Sequence, residues 1–352
     1  MEKTYRRIFY FLLSVGLLSG CILSAPVPTL ASTPDPMEVH FLDVGQGDAT
    51  LVTCGGHAML IDTGDDTKGT AIQNYLQKQK ISKLDYLILT HPDADHIGGA
   101  PVIITKFNIG RVFISNFEKD NTAYRKLIQS LDDKQIKPLT PRVNSTYTLG
   151  TASITILAPG REYDNPNDAS IALLLKDGDR SFLFTGDAGE EAEKDLIKTG
   201  ISVSADVYKV GHHGSKYSTS KEFFKAVNPF YAVISCGAGN SYGHPHAETL
   251  NTLRTSGVMV YRTDEEGTII ASTDGKSITF NKPASESWKA GEPTGNGQSP
   301  VTNGLTYVLN TKTMKFHRPS CDSLPAVNRQ DSSESRESII AQGYKPCKKC
   351  NP

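Results

Sequence analysis

The chain has 352 residues, with 37 Lys and Arg against 38 Asp and Glu and a formal net charge of −1. This length holds one large domain and a small one, and the balance excludes a uniformly basic polyanion binder. The charge is uneven: +2 over residues 1–20 (Lys3, Arg6 and Arg7 against Glu2), +4 over 305–352, and so −7 over 21–304. An acidic body releases few counterions from DNA, so a nucleic-acid substrate would need the tail or a bound metal to help hold it.

The N-terminus carries an address. Lys3, Arg6 and Arg7 precede an apolar run over 8–18 that is short for a bilayer span. This is the pattern of a secretory signal. Leu18-Ser19-Gly20-Cys21 resembles a bacterial lipobox, whose cysteine is lipidated and becomes the mature N-terminus. The resemblance implies a signal peptide over 1–20, a lipid on Cys21, and a mature chain held at the extracellular face of the cell membrane. An ordinary signal peptide cut near Ala31 is the alternative. Residues 21–36, rich in Pro, Ser and Thr, read as a tether.

From Met37 the chain alternates short apolar runs with amphipathic segments. Strands are expected at 39–42, 50–53, 58–61, 86–90, 112–115, 153–158, 171–176, 181–185, 207–210, 231–236, 258–262, 268–272 and 277–280. Helices are expected at 68–80, 122–133, 189–199, 219–227 and 247–256. In 122–133, Tyr124, Leu127, Ile128 and Leu131 share one face. Ala192, Leu196 and Ile197 do so in the next helix, with Gly200 as its stop. Hairpins at both ends and strand-helix-strand units between them fit an α/β domain over 37–282, two mixed sheets packed face to face with helices outside. Residues 283–304 are polar and rich in Pro, Gly and Ser, which reads as a flexible linker to a small domain over 305–352. Cys54 and Cys236 sit in strand-like runs and read as buried free thiols, a disulfide between them being left open.

Chemistry concentrates in four segments. Within 86–99, YLILTHPDADHIGG, the strand ends at Thr90 and His91, Asp93, Asp95 and His96 follow within six residues. Imidazole and carboxylate without thiolate suit Zn²⁺, Mn²⁺ or Fe. Asp187 stands after Gly186 at a strand end, and His212-His213 lies between two glycines at another. His244-Pro245-His246 follows a further strand. His40 and His57 are unclustered and read as structural.

These segments, with 41–48 (FLDVGQGD), 60–64 (LIDTG) and 167–170 (NDAS), resemble the metallo-β-lactamase superfamily. More narrowly, they are similar to the metallohydrolase domain of ComEC-type DNA-uptake proteins. The resemblance implies a four-layer αββα sandwich holding two divalent metals, Zn or Mn. It implies one site from His91, Asp93 and Asp187, and another from Asp95, His96, Asp187 and either His212 or His213. Asp187 and Asp93 would serve catalysis, with His244 and His246 facing the substrate. Two departures stand out. Asp93 replaces a histidine, and no histidine occurs near 158–170, where Asn167, Asp168 or Ser170 would have to serve. Both changes make the first site more oxygen-rich and favour Mn²⁺. Such metals lower the pKa of a bridging water to make a hydroxide nucleophile.

The family favours a phosphodiester substrate, DNA first. A cell-wall phosphodiester such as a choline ester on teichoic acid is a second reading, since the fold hosts many chemistries. A non-catalytic, metal-binding DNA-docking module is the third.

In the tail, His317-x₃-Cys321 and Cys347-x₂-Cys350 have the spacing of a structural zinc site. So short a segment needs such a staple. It resembles the zinc-binding domain of Ada-type DNA-methylphosphotriester repair proteins, with His317 in place of the first cysteine, a change that argues against alkyl transfer.

Overall fold

The computed structural model describes residues 36–291, 307–318, 321, 323–332, 339–340 and 342–350. Cys21, the leader and most of the tether lie outside the described residues, as do 292–306. Among the described residues no helix is long and apolar enough to cross a membrane.

The first sheet contains β1 (Met37–Phe41), β2 (Thr50–Cys54), β3 (His57–Ile61), β4 (Lys83–Leu89), β5 (Asn108–Ile114), β13 (Ile269–Thr273) and β14 (Ile278–Phe280), in the order β14-β13-β1-β2-β3-β4-β5. The second contains β6 (Thr146–Leu149), β7 (Ala152–Ala158), β8 (Ala172–Asp177), β9 (Arg180–Phe184), β10 (Val207–Lys209), β11 (Tyr231–Ile234) and β12 (Met259–Arg262), in the order β12-β11-β10-β9-β8-β7-β6. Phe41, Val52, Met59 and Ile88 from one sheet interlock with Ile154, Leu173, Phe182 and Val233 from the other. The alternate residues are buried outward. Leu51, Leu60 and Leu87 meet the helices Gly69–Lys78, Ala100–Lys106 and Thr122–Asp133 through Ile72, Ile103 and Leu127. Leu183, Tyr208 and Ala232 meet Glu190–Lys198, Lys221–Val227 and Ala247–Thr255 through Leu196, Phe223 and Leu250. Burial on both faces explains why these strands read as continuous apolar runs. The result is the four-layer αββα sandwich.

β3-β4-β5 and β9-β10-β11-β12 are parallel. The residues just beyond the carboxyl ends of β9 and β10 are therefore neighbours, the usual place for a site in α/β sheets, and the loop after β4 of the first sheet meets them there.

The one-turn helices Ala94–Ile97 and Thr263–Glu266 were not expected, and three further features differ from the sequence expectation. β6 was not expected, because Thr-Tyr-Thr-Leu carries little apolar signal; it is an edge strand on β7. The helix Ala100–Lys106 was not expected either, being a short segment directly after two glycines. The third is the segment read as linker. Its described part, 283–291, lies along β12. Ser285 N donates to Val260 O at 2.7 Å, Arg262 Nη1 to Lys289 O at 2.8 Å, and Gly291 N to Pro245 O at 2.9 Å. An open sheet edge offers unpaired backbone groups, and this strap meets some of them. Trp288 packs on the outer core of the second sheet.

Cys54 and Cys236 are buried free thiols. His40 and His57 meet Tyr75 and Asp85, away from any cluster. The C-terminal unit is a separate four-stranded sheet, β15 (Tyr307–Asn310), β16 (Lys315–His317), β17 (Arg329–Ser332) and β18 (Lys345–Pro346), ordered β17-β15-β16-β18. Its small core is Tyr307, Leu309, Phe316, Ile339 and Tyr344.

Candidate metal centre

Two backbone devices build the centre. After β4, Thr90 is pinned by Asp62, whose carboxylate accepts from Thr90 N and Oγ1 at 2.7 Å each. The chain then turns into a one-turn helix, Ala94–Ile97, and closes on Gly98-Gly99. A Cβ on Gly99 would sit 2.3 Å from Thr63 O, so only glycine allows this approach. The second device is the turn Gly211–Gly214. His212 and His213 have φ of 50° and 56°, left-handed values that cost non-glycine residues about 1–3 kcal/mol each. The turn is held by Gly211 N to Tyr208 Oη at 3.1 Å and by His212 N to Gly186 O at 3.1 Å.

These turns bring one buried set together. Ligand atoms of Asp48, His96, Asp187 and His213 all lie within 4.8 Å of one another. His96 Nε2 is 3.3 Å from Asp187 Oδ1 and 3.3 Å from His213 Nε2. His213 Nε2 is 3.4 Å from Asp187 Oδ2 and 3.3 Å from Asp95 Oδ2. His91 Nε2 at 3.8 Å and His212 Nε2 at 3.6 Å also stand around Asp187 Oδ2. His91 is fully buried, whereas His212 is a quarter exposed.

Asp93 caps the N-terminus of the one-turn helix, and its carboxylate accepts from Lys119 Nζ at 2.6 Å. Of the three residues considered for the missing histidine, Ser170 is at the centre, with Oγ 3.3 Å from His91 Nδ1 and accepting from Asp187 N at 3.2 Å. Asp168 instead accepts from Gly189 N at 2.9 Å.

His244 is buried beside the turn, its ring centroid 5.5 Å from that of His212 and 6.0 Å from that of His213. Gln46 Nε2 donates to His244 Nδ1 at 3.3 Å. His246 Nδ1 accepts from Lys216 N at 3.1 Å.

The electrostatics follow from burial among charges. Burial works against the Asp187 carboxylate, but His213, His96 and His212 overcome it and hold that carboxyl well below the usual range. Burial, then the neighbouring His96, pushes His91 down. Burial, then His213, His212 and His246, pushes His244 down to about 2, which leaves it neutral.

The donor set fits a divalent cation. His91 Nε2 and Asp187 Oδ1 are buried acceptors without a hydrogen-bond partner among the described residues. Buried polar atoms are normally satisfied, and these face a shared centre of imidazole and carboxylate donors. This is a buried His/Asp metal site. A second, Cys-rich cluster lies in the C-terminal sheet, where ligand atoms of His317, Cys321, Cys347 and Cys350 also lie within 4.8 Å of one another.

Sequence reasoning assigned no role to Asp48, Asp62, Lys119 or Lys209. Asp48 and Asp62 stand in the matched segments 41–48 and 60–64, which was the available signal. Lys119 and Lys209 had none.

Metal-binding side chains gathered at strand ends between the sheets of an αββα sandwich define a metal-dependent hydrolase. The sequence profile of the metallo-beta-lactamase superfamily matches residues 42–238, and the chain belongs to that superfamily. Its homologues include ComEC-type competence proteins. ComE operon protein 3 of Bacillus subtilis is 32% identical over 254 residues, 66% of this chain and 32% of that protein. Recombination protein 2 of Haemophilus influenzae is 32% identical over 237 residues, 66% of this chain and 28% of that protein. The chain thus spans about a third of the length of these relatives. Among solved structures, the metallo-beta-lactamase fold protein YhfI of Bacillus subtilis aligns with a TM-score of 0.48 at 14% identity, over 68% of this chain and 100% of that one.

Proposed function

We propose that the chain is a phosphodiesterase that cleaves DNA, working at the outer face of the membrane through a lipid on Cys21. The observation that carries the catalytic part is the convergence of two unpartnered buried acceptors, His91 Nε2 and Asp187 Oδ1, on one centre. The DNA part rests on relatives named for competence and for recombination. A carboxylate at Asp93 in place of an imidazole favours Mn²⁺ beside Zn²⁺.

In this reading Asp187 lies between two half-sites. His91 and His212, with Asp93, would hold one ion; Asp95, His96 and His213 would hold the other. Bound divalent ions supply Lewis-acid stabilisation of a phosphoryl oxygen and a water nucleophile near neutral pH. The chain's own residues orient and donate. His244 accepts from Gln46 through Nδ1, and Gln46 Oε1 is itself fixed by Gly237 N at 3.3 Å. A neutral His244 therefore carries its proton on Nε2, free to donate to a phosphate or leaving-group oxygen. His246, with Nδ1 engaged by Lys216 N, steadies the same loop.

The test is hydrolysis of DNA, a bis-aryl phosphodiester and a lactone by the Mn²⁺- or Zn²⁺-loaded chain. Asp187→Ala should lower phosphodiester rates by more than the ~100-fold upper range for outer ligand-supporting groups. Equal rates for wild type and Asp187→Ala on every substrate would sink the reading. Cys21→Ala should release the protein from the membrane fraction.

A further inference from the structure

Lys209 lies at the end of β10 and is almost wholly buried, 3% exposed at the side chain. An ammonium out of water is costly unless paired and hydrogen-bonded. Lys209 Nζ donates to Asp48 Oδ2 at 2.8 Å and to Val210 O at 3.2 Å. Were this only a closed ion pair, well-packed apolar side chains could replace it.

The other oxygen of Asp48 shows that the pair is not closed. Asp48 Oδ1 lies 3.2 Å from His213 Nδ1, and that same Nδ1 faces Ser235 O at 3.0 Å. His213 Nδ1 is thus turned to a carboxylate and a carbonyl, while Nε2 is turned to Asp187, Asp95 and His96. The ring sits on a residue with φ of 56°, in a turn whose backbone does not by itself settle where the ring points.

A second arrangement in the same centre gives the comparison. His96 Nδ1 is 2.9 Å from Asp62 Oδ2, and Asp62 is backed by the neutral donors Thr90 N and Thr90 Oγ1. The two imidazoles thus differ: His96 Nδ1 is hydrogen-bonded to Asp62, which neutral donors back, while His213 Nδ1 is hydrogen-bonded to Ser235 O and has beside it Asp48, which a full cation backs.

We propose that Lys209 is a positioning residue of the metal centre: it holds Asp48 against His213 Nδ1 and thereby fixes His213 Nε2 on the metal-binding side. This rests on the metal reading above. Asp48, on this account, stands behind His213.

Mn²⁺ alone is the probe, titrated into the full chain by calorimetry, because the thiolate cluster disfavours it. Thermal midpoints are taken in chelator alongside. Lys209→Met and Asp48→Asn are each expected to weaken Mn²⁺ binding about 10- to 100-fold. Lys209→Arg, which keeps a cation, should stay within a few-fold of wild type. The double variant Lys209→Met/Asp48→Asn removes both charges. It should recover much of the thermal midpoint lost by Lys209→Met while keeping the weakened Mn²⁺ affinity.

Wild-type Mn²⁺ affinity in the double variant overturns the proposal and leaves a buried pair with no hold on His213. Unchanged affinity in Asp48→Asn does the same even if Lys209→Met fails to fold. Wild type that takes up no Mn²⁺ sinks the metal reading and this inference with it, an outcome distinct from uptake that the variants leave untouched.

Discussion

The Lys119 ammonium donates to the Asp93 carboxylate across 2.6 Å, with both side chains about a third exposed. Asp93 stands where the superfamily pattern has histidine, so a cation of the chain's own engages the one unusual donor of the proposed first half-site. An ion entering there competes with Lys119, whereas on the His96–His213 side Lys209 engages Asp48 and leaves Asp95 and Asp187 without a described lysine or arginine contact. Mn²⁺ should therefore bind in two steps of unequal affinity. Lys119→Met should tighten the weaker step about two- to fivefold, the worth of a partly exposed ion pair. An identical second step in both proteins would remove Lys119 from the account.

The C-terminal cluster makes a separate prediction about metal identity. We expect one structural zinc on His317, Cys321, Cys347 and Cys350, because three sulfurs and one imidazole suit Zn²⁺ and not Mn²⁺. The core of that unit is small, so its fold should depend on the ion. Cys350→Ser should lower bound zinc by one equivalent and expose 307–350 to limited proteolysis. A protease-resistant tail in the zinc-free variant would refute this.

Trp288 belongs to the strap along β12, packs on the outer core and lies 6.0 Å from the Arg254 guanidinium. Trp288→Ala should lower unfolding free energy by about 1–3 kcal/mol. Denaturant unfolding of the full chain, followed by far-ultraviolet dichroism, measures it. A change within error would mean that the strap rests on the sheet without stabilising it.

His40 gives a pH dependence remote from the metal centre. It is buried, with Nδ1 2.8 Å from Tyr75 Oη and Nε2 3.3 Å from Glu38. Burial lowers its pKa from 6.5, and Glu38 offsets this only in part. A base depressed in the folded state contributes its full stability above the unfolded value and loses it as pH falls through the folded one. Stability should thus decline as pH falls below the ordinary value of 6.5. His40→Gln keeps a polar group beside Tyr75 and should flatten part of that decline. Parallel profiles for variant and wild type would exclude His40 as a source.

His91, Asp93, Asp95 and His96 were legible because a short segment at the end of an apolar strand carries all four. Asp187 and the His212-His213 pair were legible for a related reason: glycine beside each lets the backbone turn at a strand end. The αββα layering followed from the order of strands and helices, because apolar periodicity is a local property of the chain.

What the sequence left open depends on contacts between distant segments. Asp48 and Lys209 are 161 residues apart and meet only when β10 packs beside the loop after β1. Lys119 reaches Asp93 from a loop with no motif of its own. His212 and His213 share a composition and a turn, and only the packed structure separates them: His213 is buried against Asp187, Asp95 and His96, while His212 reaches Asp187 alone of these and stays a quarter exposed. The strap over 283–291 has the composition of a linker, yet it lies along the sheet edge because one tryptophan and a few backbone groups find partners there. Local sequence determined which side chains could bind metal and roughly where each strand would end. The tertiary structure decided which charge stands behind which histidine, because that depends on distances across packed sheets.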